Sequence, residues 1–326
     1  MISFEGVTKR YKDGRAAVDG LSFEVKKGEF FVLIGPSGCG KTTVLKMMNR
    51  LIESSSGQIA IDGRPVGDYK LNELRWNIGY VLQQIALFPH MSIAENVALV
   101  PELMGRPREE VTKTVDALLY KVGLDPNVYR SKRPSELSGG QQQRVGVVRA
   151  LAADPDILLM DEPFSALDPV TREKLQNDLL EIQRSIHKTI VFVTHDMREA
   201  LKLGDRICLM NGGKIVQLGT PSEIVHQPAN EFVREFLGDA IGGSTDRLGL
   251  PPLTAEDLID PLELDGRLIA EGAVTIGADT EVSELLWHLA AEERLLVRRG
   301  DEVIGLLERE RALKRIAREF EEGGDN

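Results

Sequence analysis

Apolar and polar positions change period several times along this chain. Between residues 3 and 34 they alternate, with Gly14, Gly20 and Gly28 as breaks, which predicts antiparallel strands leading into the uninterrupted apolar run Phe30 to Ile34, a buried strand. Helical spacing follows from Lys41 to Leu51. The stretch Gly57 to Gly63 reads as a hairpin turning at Asp62-Gly63. Gly79 to Leu82 is the next predicted strand, ending at Gln83. Helical spacing then runs from Ser92 to Asp125, interrupted near Pro107. Strand-like runs at 157–160, 190–194 and 206–210 alternate with helical segments at 140–153, 171–187 and 197–203. Strands that alternate with helices predict a mainly parallel sheet covered on both faces, with ligand chemistry at the carboxyl ends of the strands. Gln83, Asp161-Glu162 and His195 each follow an apolar run directly. Residues 238–253, rich in Gly, Pro and small polar residues, predict a linker, and no repeat of about 20–50 residues is evident.

Composition divides the chain in the same place. From Ile241 to Asn326 there are 20 acidic and 10 basic side chains, a balance of −10, which leaves −1 of the total −11 for residues 1–240. An acidic chain of 326 residues has room for a large and a smaller domain and argues against a nucleic-acid partner, which needs clustered Lys and Arg. Two cysteines, Cys39 and Cys208, indicate no disulfide framework and fit a reducing compartment. The first residues lack the basic-then-apolar pattern of a signal peptide, and no apolar run approaches the roughly 18 residues needed to span a bilayer. Action on a membrane would therefore go through partners.

Three motifs carry the chemistry. Gly35-Pro36-Ser37-Gly38-Cys39-Gly40-Lys41-Thr42 fits G-x-x-x-x-G-K-[ST] behind a strand. In such a loop the backbone N–H groups and the start of the following helix face phosphates, Lys41 reaches the β- and γ-phosphates, and Thr42 ligates Mg²⁺. Leu137-Ser138-Gly139-Gly140-Gln141 opens a helix with a hydroxyl and free N–H donors, chemistry suited to a γ-phosphate. Ile157 to Glu162 is an apolar strand ending in two carboxylates.

This order of motifs resembles the ATP-binding subunit of ABC transporters over about residues 1–240. The resemblance implies an α/β P-loop NTPase of ABC type: a mainly parallel sheet with an antiparallel β subdomain and a helical subdomain at about 84–153. It implies ATP and Mg²⁺ as ligands. Asp161, Thr42 and Gln83 then serve the metal, Gln83 also senses the attacking water, Glu162 is the general base for that water, and His195 contacts the γ-phosphate. Gln84 is the alternative to Gln83, and the run Ala86-Leu87-Phe88-Pro89-His90 favours Gln83. Tyr11 resembles the aromatic that stacks on adenine, and Thr43 completes the phosphate loop. Ser138, Gly139, Gly140 and Gln141 serve the nucleotide held by a second subunit, so that two subunits close head to tail as a homodimer. Ser165-Ala166-Leu167-Asp168 resembles the loop that couples the two sites.

Residues 81–97 and Asn72-Glu73-Leu74-Arg75 resemble importers of quaternary-amine osmoprotectants (glycine betaine, proline betaine, choline or carnitine). Integral membrane permease subunits and a separate substrate-binding protein or domain are the implied partners, with this chain peripheral on the cytoplasmic face of the inner membrane. At 5% aromatic residues the chain has no evident aromatic cage for a quaternary ammonium. Phe88, Pro89 and the helix from Ser92 are candidates for the permease-gripping surface. An importer of another solute (polyamine, sugar or anion) and a soluble ABC ATPase are the alternatives. The second is disfavoured by the acidic charge, the single motif set and a spacing of only about 95 residues between Thr42 and Leu137.

After a linker at 241–253, residues 254–326 resemble one α+β cystathionine-β-synthase-type (CBS) regulatory unit. Glu308-Arg309-Glu310-Arg311 stands where adenosine-binding units of that family carry Thr or Ser and Asp. The alternatives for this acidic region are sensing of ionic strength, since screening lengths fall from about 10 Å at 0.1 M to about 3 Å at 1 M salt, and a solvated domain without regulation.

Overall fold

The computed structural model describes residues 1–11, 14–83, 86–165, 167–186, 188–241, 253–261, 274–280, 282–292, 294–300 and 302–323. Alternation near the amino terminus produces strands β1 (Ile2–Arg10) and β2 (Ala16–Val25), which pair antiparallel. β3 (Phe30–Ile34), apolar at every position and buried throughout, instead enters a second sheet. β4 (Ser56–Ile61) and β5 (Arg64–Pro65) form the predicted hairpin and complete the antiparallel sheet in the order β2-β1-β4-β5. Asp62 at its turn adopts φ 49.

The second sheet adds β6 (Ile78–Val81), β7 (Ile157–Asp161), β8 (Thr189–Thr194), β9 (Arg206–Asn211) and β10 (Lys214–Gly219), in the order β10-β9-β3-β8-β7-β6. All neighbours run parallel except β9 and β10. Helices α1 (Lys41–Met48), α2 (Leu71–Trp76), α7 (Pro169–Ile186), α8 (Met197–Leu203) and α9 (Pro221–His226) alternate with these strands. α3 (Ile93–Leu103), α4 (Arg108–Lys121), α5 (Pro126–Tyr129) and α6 (Gly139–Leu151) form the helical subdomain. Ser92 with Glu95 and Ser138 with Gln141 are capping boxes that fix the starts of α3 and α6.

A single buried cluster joins Phe4 and Leu21 of the antiparallel sheet to Leu33, Leu159 and Val193 of the parallel one. Phe4, Phe23 and Phe31 stack through it, with centroids 4.5 and 5.4 Å apart. Phe192 lies between Phe30 and Phe164, 5.8 and 5.5 Å away. Register then levels the strand ends: Ile34 opposes Thr194, Asp161 opposes Val193 and Val81 opposes Met160. Everything that leaves the carboxyl ends of β3, β6, β7 and β8 therefore leaves at one height.

The contacts of the chain divide between Val233 and Arg234, earlier than the expected domain end at 240, and α10 (Glu231–Ile241) runs through the division. The expected linker at 241–253 falls almost wholly outside the described residues. The second unit holds a sheet in the order β11-β14-β13-β12, from β11 (Asp260–Pro261), β12 (Thr275–Gly277), β13 (Arg294–Arg299) and β14 (Glu302–Glu308). Its helices Val282–Ala291 and Arg309–Gly323 contribute Leu285 and Ile316 to a core shared with Ile276, Leu295 and Val297. Glu308 pairs with Arg294 and Arg311, and Glu310 with Lys314, so the charges at the start of the last helix are engaged within the unit.

Candidate functional site

The loop between β3 and α1 is shaped by glycine. A Cβ at Gly40, where φ is 110, would lie 2.4 Å from the Ala17 carbonyl, and one at Gly35 would lie 2.1 Å from the Met210 carbonyl. The loop is thus packed against its surroundings in a path no larger residue allows. Lys41, 4% exposed, donates from Nζ to the carbonyls of Gly35 (2.7 Å) and Pro36 (3.1 Å). The Pro36 carbonyl also accepts from the Cys39 N–H at 3.2 Å, while Ser37 and Gly38 are exposed at the loop's tip. Burial pushes the Cys39 thiol above its ordinary pKa despite the Lys41 charge beside it, so the thiol stays protonated. Thr42 and Thr43 are half-buried in the first turn of α1.

Thr42 Oγ1 donates to Asp161 Oδ1 at 2.8 Å, joining the phosphate loop to the end of β7. Burial raises the Asp161 pKa; the Thr42 hydrogen bond opposes this and the neighbouring Glu162 charge adds to it. Glu162 has φ 44, rare for a residue with a side chain, and its N–H donates to the Val193 carbonyl at 3.0 Å. That backbone turn presents its carboxylate to two partners. His195 Nδ1 lies 3.0 Å from Glu162 Oε2, and Gln83 Nε2 donates to the same oxygen at 3.4 Å. A carboxylate only accepts, so Nδ1 carries the imidazole proton in this contact. Glu162 is 17% exposed and His195 55% exposed, which leaves the histidine open to a ligand arriving from solvent.

The structure therefore brings together the phosphate loop, Gln83, Asp161, Glu162 and His195. Gln84 lies outside the described residues. The other predicted residues make their hydrogen bonds elsewhere. Ser138 Oγ accepts from the Gln141 N–H (3.4 Å), Gln141 Oε1 accepts from the Ser138 N–H (2.9 Å), and Gln141 Nε2 donates to the Tyr129 hydroxyl at 3.1 Å. These partners all belong to the helical subdomain. Gly139 and Gly140 sit in the first turn of α6, where N–H groups lack intrahelical acceptors. A Cβ on Gly140 would meet Thr171 Cγ2 at 2.5 Å. Asp168 accepts from the Thr171 N–H at 3.0 Å, which holds its carboxyl below the usual range; Ala166 of the same loop is outside the described residues. Tyr11, 46% exposed, closes a turn with Gly14 and Arg15 and has Lys9 Nζ 5.6 Å from its ring centre.

Sequence reasoning missed Asn96, which is fully buried. Its side chain accepts from the Phe88 N–H (2.8 Å) and donates to the carbonyls of Phe88, Met91 and Ser92, pinning the loop after Gln83 to α3. It also missed Arg172 and Glu199, treated below. Nothing in their spacing alone marks them, because their partners come from other elements.

A phosphate loop facing an acidic strand end, with a histidine and a glutamine on one glutamate oxygen, defines an ATPase of the P-loop class. A family model described as "ABC transporter" matches residues 18–165. Over 295 residues, covering 90% of this chain and 74% of its relative, the chain is 50% identical to the glycine betaine/carnitine/choline transport ATP-binding protein OpuCA of Bacillus subtilis (strain 168). It is 46% identical over 275 residues, 83% of this chain and 87% of the relative, to the glycine betaine uptake system ATP-binding protein YehX of Escherichia coli (strain K12). Among solved structures, a dimeric post-hydrolysis state of the ATP-binding cassette MJ0796 bound to ADP and Pi superposes with TM-score 0.61 at 36% identity, over 68% of this chain and 99% of that one. The chain belongs to the ATP-binding subunits of ABC transporters.

Proposed function

We propose that this subunit hydrolyses ATP to drive import of a quaternary-amine osmoprotectant, such as glycine betaine, proline betaine, choline or carnitine. The observation that carries the hydrolytic part is the convergence of Gln83 and His195 on Glu162 Oε2, one residue from the Asp161–Thr42 pair. Cargo class is supported by the relatives named above. Glu162 takes the proton of the attacking water as general base. Its Nδ1 contact orients the His195 ring toward the terminal phosphate, and Lys41 exchanges its loop carbonyls for phosphate oxygens. Thr42 and Asp161 supply hard oxygen donors in number and kind suited to Mg²⁺, which usually takes one or two protein groups beside substrate phosphates. When bound, that ion neutralises charge on the phosphates.

Tyr11, exposed at the end of β1, is assigned to adenine, and Thr43 to the phosphates. Ser138, Gly139, Gly140 and Gln141 serve the nucleotide of a second copy, with Asp168 beside that junction, which makes the working unit a head-to-tail dimer. No helix among the described residues is long and apolar enough to cross a membrane. Membrane permease subunits and a substrate-binding protein or domain are the proposed partners, with the chain on the cytoplasmic face. The acidic second unit is proposed as a CBS-like regulatory domain.

Uptake of labelled glycine betaine after a salt upshift, in cells lacking other betaine systems, tests this reading. Glu162→Gln abolishes uptake if the assignment is right. Equal uptake at normal protein level refutes the betaine assignment, and normal ATP hydrolysis by the purified variant refutes the role of Glu162.

A further inference from the structure

Behind the Glu162–His195 pair lies a second polar cluster that the proposed reaction does not use. Arg172, one turn into α7, donates from Nη2 to the Leu167 carbonyl at 3.0 Å, in the loop that follows Glu162. The other Nη lies 3.7 Å from Asp196 Oδ2, the residue after His195. Its buried Nε makes no hydrogen bond and faces Glu199 Oε1 across 3.9 Å. Glu199, on α8 and 7% exposed, accepts from Thr194 Oγ1 at 2.6 Å and from Gln176 Nε2 at 3.3 Å. Thr194 Oγ1 in turn accepts from the Asp196 N–H at 3.0 Å.

His195 is thus bracketed: Thr194 before it and Asp196 after it are both tied to the cluster. On the other side, Ser165 Oγ donates to the Glu162 carbonyl at 3.0 Å. Between the two loops is a small cavity of about 30 Å³ whose walls include Glu162, Ser165, Arg172, Thr194, His195 and Glu199. A guanidinium offers donors in several fixed directions at once, which is what joining two loops and a helix requires.

We infer that Arg172 and Glu199 are positioning residues that fix the separation of the loops carrying Glu162 and His195. The pair acts on the rate of water attack and leaves nucleotide binding alone, because neither side chain belongs to the phosphate loop. This inference rests on the reading of Glu162 and His195 as the hydrolytic pair. A misplacement near 1 Å at a reacting group costs roughly a hundredfold in rate, so loss of the pair is expected to lower kcat about tenfold to a hundredfold.

The test is steady-state ATP hydrolysis by the purified full chain carrying Arg172→Lys or Glu199→Gln, each alone and combined with His195→Ala. Arg172→Lys keeps the charge and loses the fork, and Glu199→Gln keeps the shape and loses the charge. An unchanged melting temperature establishes that each variant is folded. Expected is a fall in kcat for each single variant with KM constant, and less than about a twofold further loss in the His195→Ala background, since residues that act through one another are not additive. Wild-type kcat in both variants, a change confined to KM, or full additivity with His195→Ala overturns the inference. If Glu162→Gln and His195→Ala lose hydrolysis while these two do not, the positioning role alone falls. If Glu162→Gln and His195→Ala hydrolyse normally, the reading of the hydrolytic pair falls with it.

Discussion

Replacing Thr42 by Val isolates the contact between the phosphate loop and the end of β7. Valine matches threonine in shape and in β-branching, so α1 keeps its geometry and no cavity opens. What disappears is one hydroxyl, 2.8 Å from Asp161 Oδ1. A hydrogen bond to a charged group contributes about 1.5–3 kcal/mol, which is roughly a ten- to 150-fold change in an equilibrium constant. In the free protein part of that loss is recoverable, because burial already raises the Asp161 pKa and removal of the donor lets the carboxyl bind a proton instead. No such escape exists once Mg²⁺ and ATP are bound, where the hydroxyl is itself a proposed ligand. Loss of a proposed ligand is therefore expected in the Mg²⁺ dependence of hydrolysis: half-saturation by Mg²⁺ at fixed ATP rises about ten- to 100-fold in Thr42→Val, and Thr42→Ser stays near wild type. Wild-type half-saturation in Thr42→Val would refute the assignment of Thr42 to the metal.

Ser138→Arg blocks the partner's nucleotide, so mixing it with Lys41→Ala subunits restores one composite site at most; hydrolysis above half the wild-type rate in that mixture would exclude the head-to-tail arrangement. For Asp161 the folded pKa exceeds the ordinary 3.8, so between 3.8 and the folded pKa the native state holds a proton that the unfolded chain has released. Stability accordingly falls as pH rises from 3.8 through the folded pKa, while Mg²⁺, which requires the carboxylate, recovers more of it at high pH. The melting shift produced by Mg²⁺ with ATP grows as pH rises through the raised folded pKa of Asp161, and Asp161→Asn flattens that growth; the same profile in the variant would sink the linkage. Asn96→Ala strands the Phe88 N–H and lowers stability by about 1–3 kcal/mol, and chymotrypsin cuts the loop after Gln83, at Leu87 or Met91, faster than in wild type. Deleting residues 245–326 removes the salt activation of uptake if the acidic unit senses ionic strength, and leaves it unchanged if the unit is only solvated.

What the sequence revealed and what it concealed separate along a physical line. Strand β3, the loop from Gly35 to Thr42 and the capping box at Ser138 are local: periodicity, glycine placement and a serine three residues before a glutamine are visible in any short window. Edge strand β10 escaped because its half-buried positions 215–218 show neither an apolar run nor alternation. Asn96 escaped for a different reason, since a buried amide reads as a polar surface residue until the loop it satisfies is known. Arg172 and Glu199 likewise look like ordinary charges on two amphipathic helices.

The proposed hydrolytic geometry also draws on these concealed parts. Gln83, Glu162 and His195 are separated by 79 and 33 residues, and they meet only because β6, β7 and β8 end level in a parallel sheet. Level strand ends bring the three side chains near one another but do not hold two loops at a fixed spacing. Glu162 moreover sits at φ 44, a conformation that costs about 1–3 kcal/mol and persists only where its surroundings enforce it. Its N–H on the Val193 carbonyl and its own carbonyl on Ser165 supply part of that enforcement. The remainder must come from whatever ties the following loop to β8, and Arg172 makes that connection through the Leu167 carbonyl and Asp196. Strain at the proposed base and the charges behind it are then two aspects of one arrangement. A substitution that slackens the Arg172–Glu199 pair also releases the backbone at Glu162, so a loss of kcat in Glu199→Gln should come with a melting temperature that does not fall.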